Sequence, residues 1–513
     1  MSAHSPKKRV LIINAYFDDL RSQRARPNKV PQSMGPVFLA GYFSPQHWDI
    51  TLWNEQAHGP LDQAKAFENL DALVLTGLNN AFDRMKQLTA YAKTKSPKCV
   101  VIAGGSAVRV LPKLSQEFFD IVSLGDAGDI KRIINSEWGV DHTNPDPMPR
   151  YDLCNWMRHV GYVESSQNCN FSCSFCSLTA EGGHFQNYSL EFIKRQIKAI
   201  GKNKAIIFLD NNFFGNDSKF FDQKIDLLGE LHDEGYLPYW SCLVSSDFFY
   251  DRTRIKRVKE VGCTALFSGV ESFDTKWLKS IHKNQNTHES QIDQIRDCLE
   301  EGMVYFYGFV MDFVKRSIHD IQNELAYIFE DSSISLPTYF TTIVPMLGTP
   351  YFYELLNDDK LLPNAKLRDF DPTTLTIKPK DPLPQVAHFL KNTQNMKGFR
   401  KKIFKHSQAF AKRYLKGFDR YQKLLFLHSV TQLMVQNTPN DLSFFKDLFT
   451  KKTERTHIST TEFSAKEFSP AFPIHPQYAH YFKPTFITDE CGQLTSEVAP
   501  DLKKESAKLR RVV

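Results

Sequence analysis

Long apolar stretches are missing from this chain. None of its hydrophobic runs approaches the roughly 20 residues that cross a bilayer. The first, residues 10–13 behind a polar and basic start, is too short for a signal-peptide core, so a cytoplasmic location is expected. Cysteine is scarce as well: nine in 513 residues, six of them standing singly at 99, 154, 242, 263, 298 and 491, which excludes a disulfide framework. Charge of one sign is also lacking. The 64 Lys and Arg against 58 Asp and Glu leave +6, too even a balance to argue for a nucleic-acid or membrane partner, and neither is expected. No internal repeat or low-complexity tract is present. Composition is that of a globular protein, 42% hydrophobic and 24% charged, and the length suggests about three units.

What is present is an α/β pattern in two series. VLIIN (10–14), DITLW (49–53), ALVLTG (72–77), CVVIAGG (99–105) and DIVSLGD (120–126) alternate with amphipathic stretches. Runs apolar throughout read as buried parallel strands joined by helical crossovers, so the spacing predicts a five-stranded, doubly wound, Rossmann-like domain over residues 1–143. Ligands in such sheets sit beyond the carboxyl ends of the strands, where Asn14, Thr76, Gly77, Gly104, Gly105 and Gly125 fall. A proline-bearing linker, NPDPMPRYD, follows within residues 144–155. Over residues 156–355, GYVESS, AIIFLDNNF, LPYWSCLV, ALFSGVES, VYFYGFVMDF and TYFTTIVPMLGTP alternate with helical patterns, which predicts a full or partial (βα)6 barrel with its working face at the C-terminal rim. Residues 356–513 read as a mainly helical and irregular C-terminal region. Its basic stretch GFRKKIFKHSQAFAKRYLKGF is taken as a solvated surface helix packed on a domain, and the proline-bearing tail as wrapping the surface.

Three cysteines stand together: Cys169, Cys173 and Cys176 form CxxxCxxC. Three thiolates in one turn can hold three irons of a [4Fe-4S] cubane and leave the fourth iron open to chelate the amino and carboxylate groups of S-adenosylmethionine (SAM). An electron from such a cluster breaks a carbon–sulfur bond of SAM and yields a 5′-deoxyadenosyl radical. A structural zinc site with His184 as fourth ligand is the alternative, but zinc ligands usually come as two separated pairs and no second pair exists here.

The stretch GYVESSQNCNFSCSFCS (161–177) resembles the cluster loop of radical SAM enzymes, and in that family the residue at Phe175 lies against the adenine. LDNNF (209–213) resembles the end of the second barrel strand, SGVES (268–272) with Lys283 the fourth strand and its helix, and GTP (348–350) the last-strand turn. With the N-terminal domain, the order resembles the cobalamin-binding-domain class of radical SAM proteins over roughly residues 8–355.

The resemblance implies that Phe175, Asp210, Ser241 and Glu271 contact SAM, with Asp312 and Ser245 as further positions of the same kind; a rim ion pair or a satisfied core hydroxyl is the alternative for each. It implies that VVIAGGSA (100–107) lines a cobalamin pocket, with SMGPVFLAGYF (33–43) as the first helix of that domain. One departure stands out. Many cobalamin domains carry DxHxxG after the first strand, but NAYFDDLRSQRARP (14–27) holds no histidine, so cobalamin binds without a histidine beneath the cobalt or the domain has lost it.

Cys242 and Cys263 read as small core residues, and Tyr305, Tyr307 and Tyr339 as packing or substrate-facing aromatics. The implied activity is a cobalamin-dependent radical SAM methyltransferase acting on an unactivated carbon of a small biosynthetic intermediate, with an electron donor of flavodoxin or ferredoxin type. Cyclisation, rearrangement or other radical bond chemistry is the alternative, and a non-catalytic metal-binding protein a third reading.

Overall fold

The computed structural model describes residues 6–16, 33–157, 159–372, 374–394, 399–434, 457–458 and 469–503. The chain divides into two compact units. The first comprises Met1–Trp156, Met346–Thr376 and Ile458–Val513, the second Met157–Pro345 and Ile377–His457. The C-terminal region expected as one piece from residue 356 is therefore shared between them.

In the first unit, β1 (Lys8–Asn14), β2 (Trp48–Asn54), β3 (Ala72–Thr76), β4 (Val100–Ala103) and β5 (Ile121–Val122) form one parallel sheet in the order β2-β1-β3-β4-β5. Each expected run is a strand. Ile12, Ile13, Leu73 and Leu75 are fully buried, and burial of each such side chain contributes about 2 kcal/mol. The order reverses between β1 and β3, and there Asn14 pairs in register with Thr76 at the carboxyl edge. The tail does more than wrap the surface: Ile487, Val498 and Leu502 are buried, and Thr485 donates to Asp83 from both its backbone and its hydroxyl.

In the second unit, β6 (Val160–Val163), a small hairpin of β7 (Ser166–Gln167) and β8 (Gln186–Asn187), β9 (Ala205–Phe208), β10 (Trp240–Val244), β11 (Cys263–Glu271), β12 (Val304–Met311) and β13 (Tyr339–Thr342) follow in sequence. Apart from the hairpin, the six strands form one parallel sheet in chain order, β6 to β13, whose end strands do not pair, so the barrel is partial. Crossover helices start at side-chain caps, Ser189 on Leu190–Ile200, Asp217 on Ser218–Asp233 and Ser290 on Gln291–Glu300. Along β10, Trp240, Cys242 and Val244 are buried toward the helices while Ser241 and Leu243 are half-buried on the other face. That second face is concave, and pleat alternation adds Tyr162, Ile207, Phe267 and Phe306 to it. Among the described residues no helix is long and apolar enough to cross a membrane.

Candidate active site

The hairpin β7–β8 pinches the base of the cysteine loop, with Ser166 opposite Asn187 and Gln167 opposite Gln186. Asn168 turns the chain at φ 60° and donates to the His184 carbonyl across the loop. Inside, the Cys176 amide donates to the Cys173 carbonyl at 3.1 Å, and Thr179 Oγ1 donates to the same carbonyl at 2.8 Å. Gln285 Nε2 reaches Cys173 Sγ at 3.4 Å. Burial pushes the Cys176 thiol up to about 11 and raises that of Cys169, so cluster assembly must displace these protons.

Among the described residues no three His, Cys, Asp or Glu side chains converge as they would on one ion. A zinc site requires that convergence, whereas in a cubane each thiolate holds its own iron. The His184 ring is exposed and joins no such group, so the described residues bring no fourth ligand together with the cysteines for zinc.

Beside this loop, β11 ends in a register shift between Ser268 and Glu271, and Glu271 adopts φ 60°. That bend swings its carboxylate to Lys283 Nζ at 2.8 Å. Burial opposes the Lys283 charge, but Glu271 and the nearby Cys173 and Cys176 hold the ammonium above the usual lysine value. The same Nζ lies 5.7 Å from the Phe175 ring centre. Gly269 makes room for the pair, since a Cβ there would stand 2.7 Å from Glu271 Oε1 and 2.8 Å from Lys283 Nζ.

The other strand-end acids turn inward. Asp210 is 1% exposed and accepts from Ser165 N and Oγ and from Ser166 Oγ, while Lys224 Nζ donates to Ser165 Oγ at 3.1 Å. Asp312, fully buried, accepts from Trp277 Nε1 at 2.9 Å and from the amides of Val314 and Lys315. Both anchor loops through these bonds, Asp210 chiefly through Oδ1, with Oδ2 meeting only the Ser165 amide at 3.2 Å. Ser241 stays on the concave face with its hydroxyl unpartnered among the described residues, whereas the Ser245 amide donates to Asn212 Oδ1. Tyr305 and Tyr307 are core residues, Tyr307 donating to the Ser335 carbonyl. Tyr339 is 37% exposed, stacks on Phe267 at 6.0 Å, and faces the concavity. Cys242 and Cys263 are buried, as expected of small core residues.

One residue escaped the sequence reading. Glu164 continues the alternation of Val160 and Tyr162 onto the concave face, and its carboxyl takes no hydrogen bond from a described residue. Burial, with the Asp210 charge behind it, raises its pKa to about 8. The signal was its place at the carboxyl end of a barrel strand, two residues after Tyr162.

At the first unit's sheet edge, Asn14 Nδ2 donates to Asn54 Oδ1 at 3.0 Å. Gly105 has φ 106°, and a Cβ there would lie 2.5 Å from the Gly77 carbonyl; a Cβ at Gly77 would lie 2.8 Å from that of Ala81, and one at Gly125 would meet the Asp129 carboxylate. Close packing within the fold accounts for these three glycines, against backbone at Gly105 and against the side chains of Ala81 and Asp129 at Gly77 and Gly125. Gly104 differs, since a Cβ there would meet only Ser123, at 3.6 Å or beyond. At the same edge Asn79 Oδ1, Asn80 Oδ1 and Ser106 Oγ are buried without partners among the described residues, polar atoms that the amides of a cobalamin side chain would satisfy. Residues 17–32, which include most of the stretch lacking a histidine, lie outside the described residues.

Residues 163–325 match the model of the Radical SAM superfamily. A protein described as an uncharacterized methyltransferase of Synechocystis sp. is 22% identical over 377 residues, 69% of this chain and 68% of the relative. The hopanoid C-2 methylase of Rhodopseudomonas palustris is 21% identical over 64% of this chain and 65% of its own length. Among solved structures, the cobalamin-dependent S-adenosylmethionine radical enzyme OxsB, with aqua-cobalamin and S-adenosylmethionine bound, matches with a TM-score of 0.56 and 15% identity, covering 86% of this chain and 74% of that one. At that identity the likeness is one of fold.

Proposed function

We propose that the protein is a radical SAM enzyme, its barrel matching that superfamily's model over residues 163–325, and that it is a cobalamin-dependent methyltransferase acting on an unactivated carbon of a small biosynthetic intermediate. The observation that carries the proposal is the presence, in one chain, of the barrel and of a sheet ordered β2-β1-β3-β4-β5 with buried amide and hydroxyl oxygens at its switch-point edge that have no partner among the described residues. The methyltransferase relatives and the cobalamin bound to OxsB support the same reading.

When bound, a [4Fe-4S] cluster supplies the electron that cleaves SAM, and cobalamin supplies a carrier for the methyl group. This chain's residues hold and orient the reactants. Cys169, Cys173 and Cys176 are the cluster ligands. Phe175 offers a face for adenine, Glu271 and Ser241 offer acceptors for the amino and hydroxyl groups of SAM, and Lys283 fixes the Glu271 carboxylate. Asp210 acts one step back, tying Ser165 and Ser166 at the root of the cysteine loop. Asn79, Asn80, Ser106 and Gly104 border the cobalamin site. The concave face of Tyr162, Leu243, Phe267, Phe306 and Tyr339 excludes water from the reacting carbon. The donor of electrons is of flavodoxin or ferredoxin type, and the setting is the cytoplasm.

Anaerobic purification and reconstitution with iron, sulfide and hydroxocobalamin test this. Corrinoid and iron–sulfur absorption together, and formation of 5′-deoxyadenosine with S-adenosylhomocysteine in the presence of substrate, are the expected result. Uptake of iron and sulfide but never corrinoid overturns the cobalamin part. A second reading, cyclisation or rearrangement without cobalamin, is favoured by the missing histidine in residues 14–27. Product mass separates the two, since only methylation adds a methyl group.

A further inference from the structure

The helix Arg420–Met434 turns apolar side chains outward. Its exposed residues Arg420, Lys423, Leu424, Leu427, His428 and Thr431 recur at helical spacing and make one stripe. Within it Leu424 is 56% and Leu427 60% exposed. The opposite side is already packed: Leu433 is buried, Phe426 stacks on Phe410 at 5.1 Å, and Gln422 Nε2 donates to the carbonyls of Thr264 at 3.1 Å and Gly302 at 2.8 Å. The outward leucines therefore belong to a second apolar face. Leu415, Leu424, Phe426 and Leu427 line an open groove of about 470 Å³, flanked by Arg420 and Lys423.

The charge around this groove is one-sided. Residues 400–423 hold nine Lys and Arg against a single acid, Asp419, a local excess of eight in a chain whose net charge is +6. The rest of the protein is thus slightly acidic, and the positive field is concentrated on this helix pair. The sequence reading of a solvated surface helix fits Arg400–Tyr414, whose Ile403, Phe410 and Tyr414 are buried. It does not account for the leucines of the helix that follows.

We infer that this face docks on an anionic lipid surface, with Arg420, Lys423 and their neighbours meeting headgroups and Leu424 and Leu427 entering the interface. Exposed leucines set among bases on one helical stripe are the composition of a helix lying in a membrane surface. Nucleic-acid phosphates would use the charge but have no use for the leucines. Through Gln422 the helix is fixed at the amino-terminal ends of β11 and β12, where Thr264 and Gly302 lie, whereas the cysteine loop follows the carboxyl end of β6. Docking there leaves the catalytic rim open. The inference goes beyond the proposed chemistry and stands or falls separately from it.

Flotation of the full-length, cluster-reconstituted protein with vesicles tests it. Vesicles of phosphatidylcholine with phosphatidylglycerol should carry the protein upward at low salt and less so at high salt, and phosphatidylcholine alone should not. Leu424→Ser/Leu427→Ser should weaken partitioning at least tenfold, and Arg420→Gln and Lys423→Gln about fivefold each. Thermal melting and SAM cleavage should be unchanged in all three. No flotation, flotation indifferent to the leucine pair, or retention of transfer RNA or duplex DNA without flotation would each overturn the inference.

Discussion

Glu271 and Lys283 meet at 2.8 Å because Glu271 occupies a left-handed backbone conformation at the end of β11 and Gly269 leaves the space between them. The pair is 13% and 10% exposed in its side chains. Removing one partner of so enclosed a pair costs about 3 kcal/mol or more, whereas removing both together costs much less. Lys283→Met should therefore lower the melting temperature, and Glu271→Gln/Lys283→Met should recover most of that loss while 5′-deoxyadenosine formation stays at background. Recovery of SAM cleavage in the double variant would show that the pair only holds the fold.

Each of Cys169→Ala, Cys173→Ala and Cys176→Ala should bind less iron and lose the visible iron–sulfur absorption. Far-ultraviolet circular dichroism should be unaltered, because the loop is held at its base by β7 and β8 and by backbone bonds to Cys173. His184→Ala should leave iron content unchanged, since that ring is exposed.

Glu164 gives a pH signature. Its pKa is raised from 4.5 to about 8 in the folded chain, so between those values the native state holds a proton that the unfolded state has released. Stability from this group therefore falls as pH rises from about 4.5 and levels off above about 8. Glu164→Gln, which stays neutral, should melt higher than the parent at pH 9 and nearly equal to it at pH 5. A parent–variant difference that is constant across pH would show that Glu164 is already ionised at neutrality.

The glycines of the first sheet separate fold from cofactor. Gly105 sits at φ 106° and ψ 179°, a region open almost only to glycine. Gly105→Ala should cost about 1–3 kcal/mol of strain, with the clash against Gly77 added, and lower the thermal midpoint with or without corrinoid. Gly104→Ala meets only ordinary contacts at 3.6 Å, so it should fold as the parent does and take up less cobalamin. Equal corrinoid uptake by Gly104→Ala and the parent would remove Gly104 from that site.

The first sheet was legible because parallel strands buried on both faces leave apolar runs that alternation does not disguise, as at Leu73–Leu75, and the barrel strands because their half-buried face is itself apolar, as at Ile207. The cysteine loop was legible from spacing alone. The partners of Asp210 and Asp312 were not: an acid at a strand end serves a ligand or a loop equally well, and the donors they meet, Ser165 and Trp277 Nε1, come from elsewhere in the chain. Glu164 was legible only in part, since its place two residues after Tyr162 marks the face it shares but not the burial that raises its pKa. The return of residues 469–503 to the first sheet depends on contacts such as Thr485 with Asp83, for which no local pattern exists.

That last contact spans 402 positions of sequence. During synthesis the sheet of β1 to β5 emerges first, yet Asp83 and Lys86 wait for Thr485, and Tyr91 waits for Phe472, until almost the whole chain has been translated. The barrel strands β6 to β13 come entirely from residues 160–342, so the second unit has its whole sheet in hand while the first is still open. The amino-terminal sheet is thus the last to close, and it is the part that chaperones and proteases meet unfinished.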